Sequence, residues 1–273
     1  MKKAILIVML AGLLAACSES EKPPSSVAPH STPPTHPTPK STEEPASVEI
    51  AGVEIDGSAL EVDLSGVEIE ALDEIVEELS TLTNMKHLDL SDRDLDDYDS
   101  LLQLTDLEVL SLQRCDIDDD NIGKIEVLKD HPSLKSIELL GNSISDVTPL
   151  GGFTNLTAIN LGENNISDIT PLSGLKNLKV LALNGNSISD ISVLSGLTDL
   201  TSLVLGGNNV SDITPLEGLT SLRLLDLGGN NVSNIDALLE LTDLRQLILS
   251  GNPLTQEQID DLQEILPDCT IYF

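Results

Sequence analysis

Three sets of residues in this chain have types and spacings that could do chemistry. The first is a column of asparagines, Asn142, Asn164, Asn186, Asn208, Asn230 and Asn252, recurring every 22 residues. Asparagine carries a donor and an acceptor on one short side chain. Buried in a column, it must bond to its surroundings, because an unpaired buried amide is costly. The second set is acidic. Asp146, Asp168, Asp190 and Asp212 each follow a serine, a pattern of turn chemistry. Asp116, Asp118, Asp119, Asp120 and Asn121 invite a calcium reading, but the EF-hand spacing fails: the sixth position is Asn121 rather than Gly, and the twelfth is Val127 rather than Glu. A solvated loop with a helix cap at Asp119 or Asp120 is expected there. The third set is Cys17, Cys115, Cys269 and the histidines. His87 and His131 fall in different repeats, and His30 and His36 lie in a proline-rich stretch. No Ser/His/Asp, Cys/His or phosphate-loop pattern appears. The reading is of a non-enzyme with no cofactor and no metal site.

These residues are placed by a 22-residue repeat. Copies start at Leu134, Leu156, Leu178, Leu200, Leu222 and Leu244. A fixed period of this length marks a solenoid. In the copy from Leu156, Leu156, Ile159 and Leu161 point inward and open a short strand. Asn164 follows where the chain leaves the strand, and Ile166 returns to the interior. Thr148-Pro149-Leu150, Thr170-Pro171-Leu172 and Thr214-Pro215-Leu216 read as an N-cap, a first-turn proline and a core leucine. So few residues predict short 3₁₀ pieces on the convex side. One coil cannot bury its own leucines, so neighbours must stack into a continuous core.

The ends are less regular. Copies from Met85 and Leu107 carry Arg93 and Cys115 at the asparagine position. The second is 27 residues long, and its extra residues Asp120 to Leu128 read as a convex helix. Residues 48–82 are expected to form an N-terminal cap with a partial first repeat and a helix from Ala71 to Leu82. Residues 83–254 are the repeats. Residues 255–273 are a C-terminal cap: a helix from Gln256 to Leu266 opened by the capping box Thr255–Gln258, then a last strand over Thr270 to Phe273. Cys115 and Cys269 should lie about seven strands apart, roughly 30 Å, out of disulfide reach, as two buried thiols.

Ahead of the repeats, residues 1–16 read as a signal peptide. Lys2 and Lys3 precede a run, Ala4 to Ala16, too short to span a bilayer. Leu14-Ala15-Ala16-Cys17 resembles the bacterial lipobox, which implies cleavage before Cys17 and its acylation. Residues 17–47 are then a lipidated tether rich in Pro, Ser and Thr, with too little apolar content to pack. The net charge is −32, and loss of the leader takes it to −34. That argues against nucleic acid and against adsorption to an anionic bilayer, leaving the lipid on Cys17 as the membrane contact.

The phrase LxxLxLxxNxI with Ser-Asp-Ile-Thr-Pro-Leu resembles the internalin-type class of bacterial leucine-rich-repeat proteins, over about Val62 to Phe273. The resemblance implies an α/β solenoid, a horseshoe with a concave parallel sheet, short 3₁₀ convex segments and helices in the end caps. It also implies a concave face that binds other proteins. Outward strand positions give that face as Glu138, Leu140, Ala158, Asn160, Val180, Ala182, Val204, Leu224, Asp226 and Ile248. Val180, Ala182, Val204, Leu224 and Ile248 are expected to form an exposed apolar patch. The expected molecule is a monomeric, lipid-anchored module of a bacterial cell envelope, outside the cytoplasm, that binds a protein or peptide. The alternative is an envelope spacer with no defined ligand.

Overall fold

The computed structural model describes residues 47–273 except Glu70 and Asp96. Cys17, the leader and nearly all of the tether lie outside the described residues. Residues Pro45–Phe273 form one compact unit.

The repeats fold as the period requires. Ten three-residue strands form one parallel sheet in strict chain order. They are β3 (Glu61–Asp63), β4 (His87–Asp89), β5 (Val109–Ser111), β6 (Ser136–Glu138), β7 (Ala158–Asn160), β8 (Val180–Ala182), β9 (Ser202–Val204), β10 (Leu224–Asp226), β11 (Gln246–Ile248) and β12 (Thr270–Tyr272). Each regular strand pairs one repeat onward, so Leu181 faces Leu203 and Leu203 faces Leu225. The middle residue of each strand points to the interior, and Leu181, Leu203, Leu225 and Leu247 are wholly buried. A single core of mostly aliphatic side chains, with Tyr98 and Phe153 among them, runs from Ile50 to Cys269. This is the leucine-rich-repeat horseshoe.

The asparagine column ties the coils together. Asn164 Oδ1 accepts Ile144 N, and its Nδ2 donates to Leu139 O and Leu161 O, so one side chain serves its own coil and the preceding one. Asn142, Asn186, Asn208, Asn230 and Asn252 repeat the arrangement. Each such amide satisfies strand-end groups that would otherwise be buried without partners.

The convex side carries the expected 3₁₀ segments, among them Thr148–Gly152, Thr170–Gly174 and Ser192–Gly196. Their capping differs from the expectation. Thr148 is the first residue of its segment, not the cap. The preceding aspartate closes the turn: Asp146 Oδ1 accepts Thr148 N, and Asp168, Asp190 and Asp212 do the same for Thr170, Ser192 and Thr214. The long repeat also differs. Ile122–Asp130 is 3₁₀ rather than α-helical, with Ile122, Ile125 and Leu128 buried. A three-residue turn puts these on one face as well as an α-helix would. Asp118, not Asp119 or Asp120, accepts the amides that open it. Asp119 instead reaches Ser145 and Asp146 in the next coil.

The caps close both ends. Helix α1 (Leu72–Ser80) buries Leu72, Ile75, Val76 and Leu79. A hairpin not foreseen from the sequence, β1 (Val48–Ile50) and β2 (Val53–Ile55), precedes it. Its two Val-Glu-Ile triplets flank Ala51-Gly52, both at positive φ (49° and 78°), as a tight two-residue hairpin turn needs. Helix α2 (Gln256–Ile265) carries the full Thr255–Gln258 capping box and leads to β12. Cys115 and Cys269 are free and buried.

Candidate functional site

Because the strands are in register, the outward residues form two columns on the sheet face away from the leucines. The first runs Ser136, Ala158, Val180, Ser202, Leu224, Gln246; the second runs Glu138, Asn160, Ala182, Val204, Asp226, Ile248. Alternation along a strand puts both columns opposite the core. Ala158, Val180, Ala182, Val204 and Leu224 accordingly lie outside the continuous leucine core.

Their exposure differs from what alternation alone predicts. Val180 and Val204 are each 1% exposed, Ala182 2% and Leu224 7%. The middle of the face is therefore a closed apolar strip, not an open patch. Leu140 and Ile248, at its margins, are half-buried. Alternation fixes which side of the sheet a residue takes, but accessibility depends on everything packed over that side.

Polar groups stand at both ends of the strip. At the β6 end, Gln113 Nε2 donates to Glu138 Oε2 (2.5 Å), and Ser111 also bonds Glu138. His87 Nε2 lies 3.3 Å from Ser111 Oγ, and His87 Nδ1 lies 3.9 Å from Glu61 Oε1. Burial pushes the Glu138 carboxyl above its ordinary range, against the bonds from its neighbours. At the β10 end, Asp226 Oδ1 accepts Gly228 N at 2.8 Å. Burial pushes this carboxyl up too. A Cβ at Gly206 would sit 3.1 Å from both Asp226 oxygens, a tighter contact than is usual, so any larger residue there would require the carboxylate to shift by a few tenths of an ångström. Asn160 closes its own strand in the same way, accepting Gly162 N.

Two residues of the face were not singled out as site residues by the sequence reasoning. Ser202, between Val180 and Leu224 in the first column, is 1% exposed, and its hydroxyl has no hydrogen-bond partner among the described residues. The period gives its position but not its missing partner. Gln113, just past β5, is a long-range partner of Glu138 that no local pattern marks. Along the edge where the chain comes into each strand, Lys135, Lys179, Arg223 and Arg245 are exposed. Among the described residues no group of three or more His, Cys, Asp or Glu could hold a metal ion. No helix among them is long and apolar enough to cross a membrane.

Comparison with known proteins agrees with this architecture. The family described as leucine rich repeats (two copies) matches residues 132–174 and 176–218. The fold is that of a leucine-rich-repeat solenoid, and the matched segment carries the repeats themselves. Among solved structures it is similar to an internalin (inlF) of Listeria monocytogenes, with 30% identity and a TM-score of 0.61, over 71% of this chain and 62% of that one. Internalin C2 of the same organism gives 29% identity and a TM-score of 0.59, over 74% of this chain and 85% of that one. A leucine-rich-repeat protein of Leptospira interrogans shares the fold at 24% identity and a TM-score of 0.56, covering 78% of this chain and 60% of that one. The chain thus spans less than two thirds of the inlF structure. No curated protein matches the sequence.

Proposed function

We propose that this chain is an internalin-like, lipid-anchored binding module of a bacterial envelope that holds a protein partner on its concave face. The observation that carries the reading is the pair of aligned columns: apolar side chains from successive strands stand on the sheet face opposite the core, outside the hydrophobic interior. A fold does not specify a function by itself, so the weight falls on that face. The anchor rests on Leu14-Ala15-Ala16-Cys17 after an apolar leader, and the proline-rich stretch to residue 47 would hold the repeats off the membrane.

Capture from the cell envelope tests the binding face. The chain with Leu140→Lys and Ile248→Lys, which alter the half-buried margins of the face, should lose the proteins captured by the wild type while keeping its melting temperature. Unchanged capture would remove the concave site and favour a spacer, a reading that self-association insensitive to these substitutions would support. For the anchor, metabolic labelling with palmitate should mark the wild type and not Cys17→Ala. Equal labelling of the two would remove Cys17 as the lipid site.

A further inference from the structure

From the coil of Met85 onward, the residue three before the first core position is Leu or Phe, with His131 as the exception. In the other coils a backbone carbonyl at this place closes the turn into the strand. Leu104 O accepts Leu107 N, Phe153 O accepts Leu156 N, and Leu175 O accepts Leu178 N. At His131 the side chain does this instead. Its Nδ1 accepts Leu134 N at 3.2 Å and Ser133 N at 3.3 Å. The backbone turns to allow it: ψ is 129° at His131, but 62°, 54° and 58° at Leu104, Phe153 and Leu175. An acceptor that takes no proton is thus replaced by an imidazole nitrogen that can take one.

The ring is 2% exposed and sits in a crevice with Leu128, Lys129, Leu134, Phe153, Asn155 and Leu156. Because Nδ1 accepts, the neutral ring must carry its proton on Nε2. Nε2 is buried with no hydrogen-bond partner of ordinary geometry among the described residues. Burial holds the imidazole pKa below its ordinary value, against the Leu104 and Leu101 carbonyls of the preceding coil. Lys129 is the one charged side chain lining the crevice among the described residues, and Glu126 holds it at 3.0 Å. Asp130, next to the ring in the chain, is exposed. From the following coil Phe153, Asn155 and Leu156 face the ring, and none of them titrates. No carboxylate lines the crevice to hold a protonated ring. A proton on Nδ1 would set three N–H groups against one another and take the acceptor from two amides at once.

We propose that His131 is an acid-released latch, independent of what the concave face binds: near neutral pH the ring closes the turn from the long repeat into β6, and a proton on Nδ1 drives it out of the crevice and opens that joint. A depressed folded-state pKa gives stability that is complete above the unfolded value, near 6.5, and is lost as pH falls through the folded one.

The test uses the purified full-length chain with His131→Asn beside it. Asparagine Oδ1 stands near the place of Nδ1, so the variant keeps an acceptor for the two amides and takes no proton in this range. Between about pH 7.5 and about pH 5.5 the unfolding constant of the wild type should rise by up to about tenfold relative to that of His131→Asn. In NMR spectra of the wild type, the imidazole whose signal is missing from the variant should titrate below 6.5 and carry its proton on Nε2 at neutral pH. Exchange protection of the Ser133 and Leu134 amides should fall on acidification by a larger factor than that of Leu181 and Leu203 in the sheet. Equal pH slopes in the two chains, or an imidazole that titrates at or above 6.5, overturn the latch. Protection lost equally at all four amides overturns the opening of this joint, and the proposal with it. If His131→Asn does not fold, the titration and the exchange in the wild type decide between the same outcomes.

Discussion

Two regions of the solenoid solve the same problem differently. From Leu134 onward every coil places an asparagine where the chain leaves the strand, and that amide bonds two coils at once. In the coils from Met85 and Leu107 the position holds Arg93 and Cys115. Cys115 Sγ can only approach Leu90 O at 3.4 Å and Gln113 O at 3.5 Å. Burial pushes its thiol up despite nearby Arg93. The Arg93 guanidinium nitrogens are buried with no hydrogen-bond partner among the described residues. The same two coils differ one residue earlier. Each coil needs a left-handed residue just before the ladder position, supplied as Gly141, Gly185, Gly207, Gly229 and Gly251 in most of the regular block. In the N-terminal coils that residue is Asp92 (φ 63°) or Arg114 (φ 51°). The two then pair, with Arg114 Nε 2.6 Å from Asp92 Oδ1 and Nη2 2.7 Å from Oδ2. These two coils lack both the glycine and the asparagine, an exposed ion pair links their turns, and their buried donors and acceptors are served less well.

The contrast can be broken most strongly inside the ladder. Asn164→Ala should cost about 3 kcal/mol of unfolding free energy, because it strips partners from buried groups of two coils. Denaturant unfolding measures this, and a loss below about 1 kcal/mol would mean the ladder is not what joins the coils. In the opposite sense, Arg93→Asn should raise stability by about 2 kcal/mol by replacing a buried guanidinium with the amide the position accommodates. Cys115→Asn should gain about 1 kcal/mol, since an amide donates to strand-end carbonyls better than a thiol. No gain from either would mean that the N-terminal coils have relaxed around their own residues.

The smallest effect concerns acid. The Asp168, Asp190 and Asp212 carboxyls lie below their ordinary range because Thr170, Ser192 and Thr214 bond to them. A depressed folded-state pKa gives stability that is present above the unfolded value, near 3.8, and lost as pH falls through the folded one. Melting temperature should therefore drop below about pH 4, with a shallower drop in Asp190→Asn. An unchanged slope would mean that these turns contribute nothing to acid stability.

Much of the fold was legible because the repeat is a direct physical statement. Leucines at Leu156, Ile159 and Leu161 must point inward, and the asparagine after them has few places to go. The convex segments were readable from Thr-Pro-Leu and from their shortness. What the local pattern left open was the identity of each cap. Asp146 rather than Thr148 accepts the amide that closes its turn, because the aspartate carboxylate reaches the amide two residues on. The 3₁₀ form of Ile122–Asp130 was missed because Ile122, Ile125 and Leu128 suit either helix. At the candidate site, the columns followed from the period, and the closed state of Val180 and Val204 did not.

By itself, then, the sequence determined the coil: which residues face in, how far apart copies stand, and where a turn must fall. Those are consequences of local geometry and a fixed period, visible within one copy. Only the tertiary structure decided that Gln113 and Ser111 hold Glu138, and that the Ser202 hydroxyl and the Arg93 guanidinium are left without hydrogen-bond partners among the described residues. Those depend on atoms more than 20 residues apart meeting in register, as in the bond from Gln113 to Glu138. No single copy of the repeat contains that information.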